Sequence, residues 1–155
     1  MLDNHLHRFC GGRYQKAVET VTLRFSGMSA EVERELYRCS KCADEQRTVE
    51  QREAAEKTAV ERIRAHHVLL APKEIRHLRE AIGLTPAQLG DLLYGTPRGI
   101  VEGWERGRYL QNRDTDALLR SLRDRETLER RAAKAGVVLP VPELLAGVNA
   151  TPAAP

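Results

Sequence analysis

His7-Arg8-Phe9-Cys10, followed a hairpin's length later by Cys39-Ser40-Lys41-Cys42, is the stretch from which the fold can be read. These tetrapeptides hold all three cysteines of the chain, and each separates two soft or borderline donors by two residues. A single Cys-x-x-Cys fits a redox dithiol as well as a metal knuckle. Two facing pairs fit one tetrahedral ion, because a tight turn can bring both donors of a pair to the same side of the metal. Gly11-Gly12 follows the first pair, where a knuckle needs φ > 0 and close approach of backbone to sulfur. The spacing predicts a Zn²⁺ site made of His7, Cys10, Cys39 and Cys42. His5, two residues before His7, competes for the fourth position, and solvent is a third candidate. The alternative is three ordinary buried thiols beside an exposed histidine. A closed four-ligand site leaves no open position for substrate, so no catalysis is implied.

Between the pairs, Val18, Val21, Leu23 and Phe25 stand among polar residues, Gly27 to Ala30 offer a turn, and Val32, Leu36 and Tyr37 return. Residues 1–47 are read as a zinc-ribbon β-hairpin domain, too small to bury a sufficient core without its metal. The odd cysteine count argues against a secreted disulfide framework. No apolar run approaches a membrane span, and Met1 to Cys10 is polar rather than signal-like, so a cytoplasmic protein is expected. The net charge of +3 permits contact with nucleic acid without demanding it. Clustering says more: Arg98, Arg106, Arg108, Arg113, Arg120 and Arg123 crowd the second half, and arginine suits bidentate recognition of phosphates and guanine edges.

Residues 48–67 lack Gly and Pro and carry Val49, Ala55, Ala59, Val60 and Ile63 at helical spacing. They read as a solvated linker helix, with a dimer-forming helix as the alternative. From Ala71 the punctuation becomes regular. Pro72 opens a helix carrying Ile75, Leu78, Arg79 and Ile82 before Gly83 ends it. Thr85-Pro86 caps and opens the next, with Leu89, Leu92 and Leu93 as its buried stripe and Gly95 its stop. Thr96-Pro97 repeats the start signal for a third helix, whose apolar face is Ile100, Val101 and Trp104 and whose end is near Gly107. A further helix from about Thr115 runs through Leu118, Leu119, Leu122 and Leu128 towards Gly136. Residues 136–155, rich in proline, read as a disordered tail, with a short docking segment made of Val137, Val138, Leu139, Leu144 and Leu145 as the alternative. The fold class is α+β: a ribbon, a linker helix, and an all-α domain of four to five helices over residues 68–135.

Gly83-Leu84-Thr85-Pro86-Ala87-Gln88-Leu89-Gly90-Asp91-Leu92-Leu93, then Thr96-Pro97-Arg98 and Trp104-Glu105-Arg106-Gly107-Arg108, resembles the Cro/repressor (XRE) helix-turn-helix. In that family a Thr or Ser caps the first helix of the pair, a small residue such as Gly90 lets the helices cross, and an aromatic-Glu-x-Gly run closes the recognition helix. The family's usual glutamine stands where this chain has Pro86. An extra residue around Tyr94-Gly95-Thr96 leaves the third helix uncertain in register by one position. The physical roles follow independently: a tight helix pair needs a small residue at its crossing, and a short helix can lie in the major groove. Arg98 is the first candidate for a guanine edge. The DNA-contacting set is Thr85, Gln88, Thr96, Pro97, Arg98, Gly99, Glu102, Arg106, Arg108 and Arg113. Gly99 and Gly103 each cost the helix about 1 kcal/mol relative to alanine. Close approach to DNA and close packing against Gly90 both account for them.

Cys10-Gly11-Gly12 and Tyr37-Arg38-Cys39-Ser40-Lys41-Cys42, with Leu69-Leu70-Ala71-Pro72-Lys73-Glu74-Ile75-Arg76 opening the helical part, are similar to the MqsA-type antitoxins over roughly residues 1–124. Those proteins have two cysteines in the first knuckle, and His7 stands here at the first of them. The resemblance implies a dimeric repressor that binds a palindromic operator, autoregulates a type II toxin–antitoxin operon, and engages a ribonuclease toxin through its zinc ribbon. The alternatives are a regulator of the same architecture without a toxin, and a protein-interaction adaptor, for which Glu102 and Glu105 beside the groove surface would repel phosphate. An enzyme is not expected, since no Ser/His/Asp or paired-carboxylate arrangement stands out and His66-His67 would point apart on a helix.

Overall fold

A computed structural model describes residues 2–140, which form two compact units divided between His66 and His67. The first is built on an antiparallel hairpin of β1 (Tyr14–Phe25) and β2 (Met28–Cys39), paired without interruption from Tyr14↔Cys39 to Phe25↔Met28. The strands meet at Ser26-Gly27, whose φ values of 50° and 77° are both left-handed. A two-residue loop of that kind matches the twist of the strands it joins. The turn is therefore tighter than the expected Gly27 to Ala30, and Ala30 belongs to β2. A short β3 (Glu45–Gln46) pairs with β2 at Tyr37 and Arg38.

Helix α1 (Val49–His66) corrects the linker assignment. Thr48 caps it by accepting from Gln51 N–H at 3.2 Å while Gln51 Oε1 accepts from Thr48 N–H at 3.0 Å, a reciprocal arrangement that starts the helix firmly. Its face of Ala55, Ala59, Val60 and Ile63 is buried, and Ala55 and Ala59 pack on Val32 with Val21, Leu23, Phe25 and Ala30 alongside. Small alanines let the helix backbone lie close to the sheet, so a stripe that looks thin in sequence covers a hairpin face. The first unit thus extends to residue 66 rather than 47.

The second unit holds five helices: α2 (Pro72–Ile82), α3 (Pro86–Leu92), α4 (Arg98–Glu105), α5 (Arg113–Ser121) and α6 (Arg125–Ala135). The α+β class and the helix-bearing second part are as expected. Thr85 caps α3 in a reciprocal box with Gln88. The single helix expected from Thr115 is two, because Asp124 accepts from Thr127 N–H at 2.9 Å and starts α6 afresh. Thr96 does not cap α4: Pro97 occupies that position, and Thr96 Oγ1 donates instead to the Leu93 carbonyl at 2.7 Å. A continuous apolar core runs from Leu70 through Ile75, Leu89, Trp104 and Leu119 to Leu128. Beneath it, Arg79 and Glu105 form a bidentate pair at 2.6 and 3.0 Å, tying α2 to α4. The tail assignment is corrected at its start, where Val137 and Leu139 pack against this core; residues 141–155 lie outside the described residues.

Candidate functional site

The strongest constellation is assembled by the ends of β1 and β2. His7 N–H donates to the Gly12 carbonyl at 2.7 Å and Gly11 N–H to the His7 carbonyl at 2.9 Å, closing the first tetrapeptide into a tight loop with Gly11 at φ +67°. Cys39 ends β2, and Ala43 N–H donates to its carbonyl at 3.2 Å, curling the second tetrapeptide back. The β1–β2 register sets the two loops side by side. His7 Nδ1 lies 3.0 Å from Cys10 Sγ and 3.4 Å from Cys42 Sγ, and Cys10 Sγ lies 3.4 Å from both Cys39 Sγ and Cys42 Sγ. All four donor atoms fall within 4.8 Å of one another, and the cysteines are free thiols.

The surroundings fit a metal. A Cβ on Gly12 would sit 2.5 Å from Cys39 Sγ, so only glycine lets the first loop approach the second sulfur. Gly12 N–H donates to Cys10 Sγ at 3.3 Å. Backbone N–H groups of Lys41 and Cys42 aim at Cys39 Sγ and bring that thiol down to about 7, favouring the thiolate a cation needs. His7, Cys10, Cys39 and Cys42 could therefore hold a metal ion. His5, the competing donor, is exposed and outside the cluster. Asp44 is the neighbour the sequence did not announce: Tyr14 O–H donates to its Oδ2 at 2.5 Å, pushing the phenol up to about 12 and holding the carboxyl below the usual range. Only its place two residues after Cys42 hinted at a role.

The candidate nucleic-acid residues divide. Thr85 and Gln88 are engaged with one another in the α3 cap, and Thr96 closes the turn after α3. Tyr94 and Gly95, at φ 60° and 73°, are successive left-handed residues that form the turn between α3 and α4. Pro97, Arg98 and Gly99 consequently all stand exposed at the start of α4. Arg98 is 69% exposed and its Nε donates to Glu102 Oε1 at 2.7 Å, which holds the Glu102 carboxyl below its ordinary value. Arg106 and Arg108 are exposed at the opposite end of α4. Arg113 is not a loop arginine, since it opens α5 and its guanidinium meets His67 Nδ1 at 2.6 Å.

The glycines separate cleanly. A Cβ on Gly90 would strike the Thr96 carbonyl, so this residue is small because the chain turns back against it. On Gly103 a Cβ would strike the Tyr109 ring, which makes its partner Tyr109 rather than Gly90. Gly99 has nothing within 4 Å of the same position. Trp104 and Val101 are core as expected, whereas Ile100 is 37% exposed. Glu105 is buried on Arg79 rather than placed on the groove surface.

Among the described residues no helix is long and apolar enough to cross a membrane. Neither a scan against protein-family models nor a search of curated proteins gave a match.

Proposed function

We propose that this chain is a zinc-stabilised, sequence-specific DNA-binding repressor, acting as a dimer on a palindromic operator and serving as the antitoxin of a type II toxin–antitoxin pair. The observation that carries the DNA reading is Gly99. It lies in the first turn of α4, where glycine is less favourable than alanine, and no neighbour among the described residues requires its lack of a side chain. The reason for it then lies outside the chain, in a surface that approaches the α4 backbone closely. Beside it, exposed Arg98 offers the fork geometry that reads guanine, with Glu102 steadying the guanidinium. The adaptor alternative leaned on free carboxylates. Glu105 is committed to Arg79 and Glu102 to Arg98, so neither is left to repel phosphate.

Zn²⁺ is the metal that a His/Cys₃ donor set suits, and closure by four protein donors gives it a structural role. The zinc-bearing first unit would then present the surface for a ribonuclease toxin, while the helical unit binds the operator. One α4 covers too few base pairs for specificity, which is why a dimer with two such helices one duplex turn apart is required. Selection of bound duplexes from a random library tests the reading. Enrichment of a palindrome, with affinity falling steeply as salt rises and lost in Arg98→Ala at unchanged stability, is expected. Absence of any enriched sequence, or binding indifferent to salt, would overturn it. The toxin arm is checked separately: a neighbouring gene should encode a ribonuclease, and that ribonuclease should lose activity when the chain is added.

A further inference from the structure

We propose that Asp44 is a positioning residue for the metal centre: it faces the outer nitrogen of His7 and fixes Nδ1 as the nitrogen turned to the ion. The inference rests on the zinc reading of the cluster and adds which ring atom ligates and what enforces it. His7 has two distinguishable nitrogens, and Nδ1 is the one among the sulfurs, 3.0 Å from Cys10 Sγ and 3.4 Å from Cys42 Sγ. Nε2 points the other way, 3.8 Å from Asp44 Oδ2. That separation exceeds a direct hydrogen bond but lies within ion-pair range, so a turn of the ring by less than about 1 Å would close it. With or without that turn an acceptor faces Nε2, which keeps the proton there and leaves the Nδ1 lone pair for a cation.

Asp44 is itself held. Its Oδ2 accepts from Tyr14 O–H at 2.5 Å and from Gln46 Nε2 at 3.1 Å, and its backbone carbonyl accepts from Cys39 N–H at 2.8 Å. One residue therefore ties the backbone of a second-knuckle ligand to the side chain of a first-knuckle ligand. The imidazole plane is fixed as well, by edge contacts with Tyr14 at 5.4 Å and Phe9 at 5.7 Å between ring centroids. His5 contributes only its backbone carbonyl, which accepts from Tyr14 N–H, and its ring is not among the clustered donors, which is the structural reason for taking His7 as the fourth.

The test uses the full chain loaded with Zn²⁺ alone. Metal analysis comes first, and stoichiometric zinc that is lost in Cys39→Ser validates the site independently of Asp44. Long-range ¹H–¹⁵N NMR of the imidazoles should then show His7 bound through Nδ1 and protonated at Nε2. Asp44→Asn should still bind zinc stoichiometrically, at about 10- to 100-fold lower affinity in chelator competition. It should also shift the His7 Nε2–H resonance while the β1 and β2 amides stay in place. Tyr14→Phe should weaken binding less, and His5→Ala not at all. Nε2 ligation by His7, or wild-type affinity in Asp44→Asn, would overturn the proposal; a wild-type chain that takes up no zinc would instead remove the zinc reading beneath it.

Discussion

In the helical unit a continuous apolar cluster reaches from Leu70 to Ala132 and is reinforced by hydrogen bonds that converge on buried Asp116. Asp116 accepts from Leu70 N–H at 2.7 Å, from Gln111 Nε2 at 3.1 Å and from Arg120 Nε at 2.7 Å, so the segment before α2 is pinned to α5. At the donor-bearing tip of the hairpin unit the apolar part is small, Tyr14, Tyr37 and Cys39 with half-buried Leu2 and Cys10, and Asp44 supplies the polar ties. Its remaining apolar cover is the α1 face over Val32. One chain thus draws on different means in its two units, burial in one and, at the tip of the other, four donors that could hold a metal ion. Removing either support should affect one unit and spare its neighbour.

Metal removal is the largest break. Structural zinc in small modules contributes about 10–16 kcal/mol of apparent binding free energy, and without it residues 2–13 and 40–44 keep only a small apolar cluster, backbone hydrogen bonds such as Tyr14 N–H to the His5 carbonyl, and the contacts of Asp44. Chelation, or Cys10→Ser, should collapse the amide dispersion of those residues, leave the α1-covered part of the hairpin partly ordered, and leave residues 70–135 unchanged in an ¹H–¹⁵N spectrum. Loss of the helical signals as well would mean that the units are not energetically separate.

The converse break is Glu105→Ala. Arg79 and Glu105 side chains are 12% and 5% exposed, and removing Glu105 leaves the Arg79 guanidinium, mostly out of solvent, with only the Leu84 carbonyl and the more distant Glu80. A loss of about 3–5 kcal/mol is expected in denaturant unfolding of the helical unit, with zinc affinity untouched. Reduced zinc binding in this variant would contradict the division.

How far the sequence could be read follows the same line. The four donors and the helical stops at Gly83 and Gly107 were legible because ligand spacing and φ > 0 are local requirements that leave local marks. Covering of the hairpin by α1 was not, since Ala55 and Ala59 are apolar enough for a sheet yet too small to stand out from a linker. Burial of Glu105 and the position of Asp44 were also hidden. Each depends on a partner distant in sequence, Arg79 for one and Tyr14 for the other, and no periodicity records such a pairing. The left-handed conformation of Tyr94 beside Gly95 was hidden too, since only the glycine leaves a local mark of positive φ.

Two glycines on one helix sharpen the contrast between internal and external reasons. Gly103→Ala forces a methyl group into the Tyr109 ring and should cost about 1–3 kcal/mol. Gly99→Ala meets open space and should stabilise α4 by up to about 1 kcal/mol, while weakening duplex binding. Opposite signs in thermal unfolding, with DNA affinity falling in the more stable variant, would locate the purpose of Gly99 outside the chain. A Gly99→Ala protein with unaltered DNA affinity would remove the main support for close backbone approach.

The smallest effect concerns Arg98 and Glu102, where the fold should barely respond at all. The Glu102 carboxyl is held below its ordinary value chiefly by the hydrogen bond from Arg98. A depressed folded value means that the pair's contribution is present above the unfolded carboxylate value of about 4.3 and disappears as pH falls through the lower folded one. Acid titration followed at the Arg98 Nε–H resonance should show one inflection below that value, absent in Glu102→Gln, with no change in the melting of residues 70–135 across it. Above the inflection Arg98 is steadied, so Glu102→Gln should relax base preference at one operator position at neutral pH, within the roughly 1–3 kcal/mol that a bidentate guanine contact supplies. The metal end should respond differently to the same titration, since protons compete for thiolates and imidazole and release the ion outright. Amide signals around Cys39 that outlast the Arg98 inflection without bound metal would show that the hairpin tip, too, is held by burial.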